Sequence, residues 1–400
     1  MSAFFNYFKI FLLLFLLLTK ISFSSCENDA NITIFIHGIV KPPITIQDLI
    51  RIKKDRIKNT QFAYSVEYLR ESPDTFTFQP MQELGLKQID LDDNSPGNSA
   101  TAIARIYELQ SNDNAKNYYY TFGWSALLSR SSRQQEGLRL LKSLKKEINR
   151  LNLKNPNIRI IGYSHGGNVA LNLARFVPKD NLPFIVNELI LVGMPIQKET
   201  DFLINHPIFK NVYNIYSMAD IAQRADKFST RYFFSHRKFW PRRDFIVPDK
   251  LKQIQIKVVK IYFDTCDKVK QKKVIGPKHS ELWQFGWAPK AYRKRFPITP
   301  LSVSSLIPTI LEKINEIENV SNDLSVTINT YEGIIKIKDR KTKNKYNFNY
   351  NKSYFDDLKN LAYEFKIEYP YCDYAALVKD AMIYALRQRL KFKKANCIEG

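Results

Sequence analysis

One short segment carries residues suited to covalent chemistry. Gly162-Tyr163-Ser164-His165-Gly166-Gly167 holds three of the 13 glycines of a 400-residue chain. Glycine is scarce here, so its clustering marks a place where the backbone needs it. A serine hydroxyl is a weak nucleophile until its surroundings activate it. Glycines two before and two after the serine allow a tight strand-to-helix turn that exposes the hydroxyl. The helix beginning there offers a backbone N–H to negative charge developing on a substrate oxygen. The plain alternative is an ordinary buried strand–turn–helix. A general base would come from five histidines, His37, His165, His206, His236 and His279. The cysteines, Cys26, Cys266, Cys372 and Cys397, form no CxxC or Cys/His spacing of a zinc site. Neither a metal nor an organic cofactor is implied.

The surrounding pattern supplies the strand and the helix. β-branched and aromatic runs predict strands at 31–36, 117–122, 157–162, 188–192, 212–217 and 254–263. Apolar spacing at Leu138, Leu141, Leu144 and Ile148 predicts a helix over 132–151, and further helices are expected at 167–176 and 302–317. Strands alternating with helices predict an α/β fold, a mostly parallel sheet with helices on both faces. Active sites in such sheets lie beyond the carboxyl ends of the strands. From residue 322 the pattern changes to strands at 325–330, 333–338 and 345–350, then helices at 353–367 and 373–391. The expected division is a main domain over 30–320 and a C-terminal α+β appendage over 321–400, in which no motif is found.

With Gly162–Gly166 in this context, and His37-Gly38 closing the first strand, the chain over about residues 31–318 resembles the α/β-hydrolase family, in particular its lipase-like members. The resemblance implies the α/β-hydrolase fold and a Ser–Asp–His triad in that chain order. Ser164 would be the nucleophile. The backbone N–H groups of His165 and Ile39 would form the oxyanion hole. The acid would be Asp220, just beyond the fifth strand, with Asp226 as the alternative. The base would be His279, after the last strand of the main domain, with His236 as the alternative. No cofactor is implied.

Charge adds an expectation about partners. The chain has 61 Lys+Arg and 39 Asp+Glu, a net charge of +22, which favours anionic partners. Residues 221–300 carry 20 basic and 6 acidic residues, against 25 and 20 in residues 1–220. The densest stretch, 224–243, interleaves cations with Phe228, Tyr232, Phe233, Phe234, Phe239 and Trp240. It reads as a lid or a docking surface for an anionic membrane, or as a solvated segment whose aromatics pack inward. Residues 1–25 read as an export signal, with Lys9 before the apolar run Ile10–Leu18. Cys26, after Phe23-Ser24-Ser25, resembles the cleavage box of bacterial lipoproteins and would then be lipidated. Cleavage near Ser24 and an uncleaved anchor are the alternatives. Export disfavours a nucleic-acid partner. The reading is an exported serine hydrolase cleaving a carboxylic ester of a lipid or other acyl compound. Thioesterase, amidase or acyltransferase chemistry on the same triad, and a catalytically silent envelope protein binding anionic surfaces, are the alternatives.

Overall fold

A computed structural model of the chain describes residues 30–39, 44–72, 82–92, 99–111, 115–263, 269–286, 296–364 and 374–398. The export signal, Cys26, Cys266 and Cys372 lie outside these residues. The elements in order are β1 (Ala30–Ile36), α1 (Ile46–Lys53), α2 (Gln61–Glu71), β2 (Gly85–Gln88), α3 (Ser99–Gln110), β3 (Lys116–Gly123), α4 (Arg130–Arg150), β4 (Asn157–Tyr163), α5 (His165–Asn172), β5 (Val186–Val192), β6 (Phe209–Tyr216), β7 (Leu251–Phe263) and β8 (Val269–Ile275). They continue with α6 (Ile307–Asn315), β9 (Asp323–Asn329), β10 (Ile334–Asp339), β11 (Lys345–Asn349), α7 (Lys352–Glu364) and α8 (Tyr374–Ile398).

One sheet runs through them in the order β2-β3-β1-β4-β5-β6-β7-β9-β10-β11, with β8 paired to β7. Strands β3, β1, β4, β5, β6, β7 and β9 are mutually parallel along this path. β2, β8, β10 and β11 join antiparallel. This is the α/β fold expected from the sequence. The chain leaves β1 toward β3 on one side and returns to β4 on the other, so the crevice beyond β1 and β4 is a topological switch point.

The period-2 alternation of each strand sends side chains to two cores. Ile32, Ile34, Ile158, Ile160, Leu189 and Leu191 pack with α4 and α5 residues such as Leu140, Leu144 and Val169. Phe35, Ile161, Ile190, Val192 and Ile215 pack on the opposite face with Ile103, Ile307 and Ile310. Burial on both faces explains the near-continuous apolar runs in the central strands.

Two features depart from the expected layout. Strands β9–β11 do not form a separate appendage core. β9 pairs in parallel with β7 from Gln253↔Asp323 to Val258↔Ile328. Val326, Ile328, Ile335, Phe355 and Leu358 then share one core with Trp283 and Ile254. Because β7 offers a free edge past β6, the C-terminal strands complete the sheet. The short elements α1, α2, α3, β2 and β8 were not foreseen either. α2 packs Phe62, Val66 and Leu69 against Leu377 and Ala381 of α8, so it is stabilised by a segment over 300 residues away.

A shared core predicts shared stability. Ile328→Ala removes a fully buried side chain and is expected to cost about 2–5 kcal/mol. In urea titrations followed by tryptophan fluorescence, one transition should move to lower urea. A separate early transition with the main one unmoved would show that the C-terminal strands unfold independently.

Candidate active site

Ser164 occupies the turn between β4 and α5 with φ 52° and ψ −128°, backbone that L residues rarely adopt. Neighbouring glycines make the turn possible. A Cβ on Gly162 would come within 2.6 Å of the Gly167 backbone, and one on Gly166 within 2.5 Å of the carbonyl oxygens of Ile36 and His37. The loop after β1 therefore lies directly on the elbow, and a Cβ on Gly38 would reach 2.8 Å from Ser164 Cβ. Ser164 N–H donates to the Val192 carbonyl at 2.8 Å, tying the turn to β5.

The structure brings Ser164, His279 and Asp220 into one hydrogen-bonded chain. His279 Nε2 lies 3.0 Å from Ser164 Oγ, and His279 Nδ1 lies 2.7 Å from Asp220 Oδ2. Asp220 is fully buried and Ser164 nearly so, while the His279 side chain keeps 25% exposure. Asp220 stands on a turn after β6, where Ala219 N–H donates to Ser217 Oγ at 3.2 Å and Arg237 Nε to the Asp220 carbonyl at 2.7 Å. Gln223 N–H donates to the other Asp220 oxygen at 3.3 Å. Gly276 packs against this turn, where a Cβ would sit 2.8 Å from Ser217 Oγ. The ring of His279 stacks on Tyr163 with centroids 5.0 Å apart, and Tyr163 stacks in turn on Trp283 at 5.2 Å. Tyr163 Oη donates to the His279 carbonyl at 3.2 Å. A buried carboxylate bonded to Nδ1–H leaves Nε2 as the acceptor facing the serine. Such a chain can remove a hydroxyl proton and return it.

The alternatives for acid and base go elsewhere. Asp226 Oδ2 lies 3.0 Å from His165 Nε2 and accepts from Gln197 Nε2 and Ser229 Oγ at 2.9 and 2.6 Å. His236 lies against Phe234, and its backbone bridges to Ile196. Burial pushes the His165 imidazole below its ordinary range despite the pull of Asp226. Burial also opposes ionisation of Asp226, but His165, Ser229 and Arg133 outweigh it and hold the carboxyl below its usual range.

Of the two residues expected to bind an oxyanion through their N–H groups, His165 is the first residue of α5, whose leading N–H groups have no intrahelical partner. Ile39 follows Gly38 directly and is half-buried. His37 accepts the Trp124 N–H at Nε2 (3.2 Å), which leaves the Nδ1 proton for the Gly38 carbonyl at 2.6 Å. In a trans peptide the carbonyl and the next N–H point oppositely, so His37 turns the Ile39 N–H away from itself. Sequence reasoning gave no role to Tyr163 or Trp283. Gly193 has φ 60°, and a Cβ there would meet Leu282 at 2.9 Å and both Asp220 Oδ2 and His279 Nδ1 at 3.4 Å. Its place at the end of a strand was the available signal. No group of residues suited to a metal ion occurs among the described residues.

The histidines make stability depend on pH. Burial lowers His165, His206 and His236 below the ordinary imidazole range, reinforced at His236 by Arg224, Lys227 and Arg242. The unfolded chain then binds more protons in mild acid, so stability is lost as pH falls through about 6.5. The urea midpoint should fall between about pH 7 and pH 5. His165→Gln should lower stability at neutral pH yet flatten that slope. An unchanged slope would mean that His165 is already protonated in the folded protein.

No protein-family model matches the chain, and no curated protein matches it. Among solved structures the chain is similar to one described as "the putative cell surface hydrolase from Lactobacillus plantarum WCFS1", at 10% identity, covering 76% of this chain and 83% of that one with a TM-score of 0.25.

Proposed function

We propose that the protein is an exported serine hydrolase that cleaves a carboxylic ester of a lipid or other acyl compound. The observation that carries this reading is the chain Ser164–His279–Asp220 on a strained turn at the mouth of a parallel sheet. Ser164 Oγ attacks the acyl carbon while His279 Nε2 takes its proton. The carbonyl oxygen becomes an oxyanion facing the N–H groups of His165 and Ile39. The tetrahedral intermediate collapses, the alkoxide leaves with the proton held by His279, and an acyl ester remains on Ser164. A water then repeats the sequence, giving up its proton to His279 and releasing the carboxylic acid. Asp220 holds the imidazole tautomer and stabilises the imidazolium.

Exposed apolar side chains beside Asp220 and within 224–243 support an apolar or interfacial substrate. Met218 and Ile221 flank Asp220 and are exposed, as are Phe228, Tyr232, Phe233 and Trp240 within 224–243. Phe239 is buried in the core, so the segment is anchored while other aromatics face solvent. Cations lie over several rings, among them Lys238 over Trp240 at 4.9 Å and Lys53 over Phe233 at 3.4 Å. Exposed aromatics with interspersed cations suit an anionic lipid surface. Residues 1–25 are the ground for export.

Two measurements test this. A fluorophosphonate probe should label Ser164 alone, and Ser164→Ala should lose labelling and lower p-nitrophenyl ester turnover by roughly 10⁶-fold with folding intact. An unlabelled wild-type protein without ester turnover would favour a silent envelope protein. Phe228→Ser/Trp240→Ser should weaken sedimentation with phosphatidylglycerol vesicles at least several-fold and leave turnover of a soluble short-chain ester unchanged. Equal sedimentation with neutral vesicles, insensitive to salt, would remove the membrane part of the reading.

A further inference from the structure

A cavity of about 560 Å³ lies apart from the triad, between the first turn of α4, the end of α5, the 197–202 loop and residues 231–232. Five cations line it, Arg130, Arg133, Arg175, Lys198 and Arg231, against Asp55, Glu199 and Asp244. Asp55 and Glu199 are engaged by backbone N–H groups, and Asp244 offsets Lys198, one of the five. Asp55 accepts the backbone N–H groups of Arg130 and Ser131 at 2.8 and 3.0 Å and so caps α4. Asp244 pairs with Lys198 and Arg242, each at 3.2 Å. One oxygen of Glu199 accepts the Arg231 N–H at 2.9 Å.

The arginines are held by neutral groups instead. Arg133 Nη2 donates to Gln197 Oε1 and the Ser229 carbonyl at 3.1 and 3.0 Å. Arg175 Nε donates to Asn172 Oδ1 at 2.6 Å, and Arg175 also binds the Glu199 carbonyl. Arg130 reaches the Lys53 carbonyl at 3.4 Å, and the Arg231 guanidinium lies over the Tyr232 ring at 5.7 Å. These bonds fix the guanidinium groups, while Asp226, Glu199 and Asp55 act on Arg133, and Glu199 on Arg175, through space and not by bonding. Arg133 is only 1% exposed, yet among the described residues its Nη1 has no hydrogen-bond partner, and Glu199 Oε2 is likewise unbonded. A buried charged donor left unbonded costs about 1–3 kcal/mol or more, so such a group calls for an explanation.

We propose that this cavity is an accessory binding site for a phosphate monoester. The chemistry fits both loose ends. Phosphate oxygens accept from several guanidinium groups in paired geometry, and a singly protonated monoester carries one O–H for a carboxylate oxygen. The ligand is either a small soluble ester or a lipid headgroup, which share this chemistry. The site is separate from ester cleavage and stands whether or not Ser164 is active.

The test uses the full chain at near-physiological salt, where diffuse surface attraction is screened. Inorganic phosphate and glycerol 3-phosphate are titrated by calorimetry, and vesicles of phosphatidylcholine with and without phosphatidic acid are used for sedimentation. Arg130→Gln/Arg175→Gln removes two lining charges outside the 224–243 segment. Lys145→Gln/Lys146→Gln removes two exposed charges that neither line the cavity nor lie in the 224–243 segment. Thermal melting checks that both variants fold. Saturable binding of the soluble phosphates, weakened about tenfold or more by the first variant and not the second, supports a soluble ester. Binding only to vesicles containing phosphatidic acid, with the same dependence, supports a lipid headgroup. The proposal fails if no probe binds saturably, or if the two variants weaken binding equally or not at all.

Discussion

Backbone contact at Ser164 is the constraint from which the rest of the structure follows. The serine's positive φ costs about 1–3 kcal/mol and persists only because its surroundings leave no other arrangement. Gly38, Gly162 and Gly166 each sit where a Cβ would press within 2.5–2.8 Å of a neighbouring atom. The turn is held by burial of the helix behind it. Val169, Leu171 and Leu173 are fully buried, and at about 1.5–3 kcal/mol each they outweigh the strain. The sheet order serves the same end, because β1 and β5 flank β4 and supply the loop and the carbonyl that fix the turn.

Three of the histidines then do different work for physical reasons that lie outside the imidazole. His37 accepts a backbone N–H and turns the Gly38 peptide. His165, fully buried beside Asp226, ties the start of α5 to the segment after β6. His279, the partly exposed one, has a buried carboxylate on one nitrogen and a hydroxyl on the other. Asp226 and Asp220 stand six residues apart in the sequence, yet each meets its own histidine. The difference is set by the helical turn Ala222–Ala225, which carries the chain from the face of Asp220 to that of Asp226.

Much of this was legible in the sequence where one residue's neighbours in the chain are also its neighbours in space. The central strands announced themselves as apolar runs because both faces are buried. The elbow was legible from glycine spacing. What stayed hidden depends on distant partners. β8, Val269–Ile275, is lysine-rich and exposed along almost its whole length, so nothing in its composition marks a strand, and only pairing with β7 makes it one. Tyr163 was a nameless position inside the motif, and its stacking on His279 depends on a loop 116 residues onward. The pairing of β9 with β7 was hidden because β9 reads like any half-buried strand, and only the free edge of β7 decides where it goes.

Charge shows the same limit in a sharper form. Counted along the chain, residues 221–300 hold the basic excess, but part of it is compensated in the fold. Lys238 pairs with Asp323 at 2.9 Å, Arg242 with Asp201 at 2.5 Å, and Lys272 with Glu332. Arg130, Arg133 and Arg175 come from the stretch that counts as nearly neutral, because carboxylates such as Glu83 and Glu147 balance them in the sum. Those two carboxylates pair with Lys87 and Arg150 instead. Coulomb attraction falls with distance in space and not in sequence, so a segment sum can be nearly neutral while, among the described residues, four guanidinium groups around one cavity have no carboxylate bonded to them. The positive field that an approaching anion meets is therefore set by which cations the fold leaves unpaired, and Arg133 of this cavity lies one Gln197–Asp226 link away from His165, the residue after Ser164.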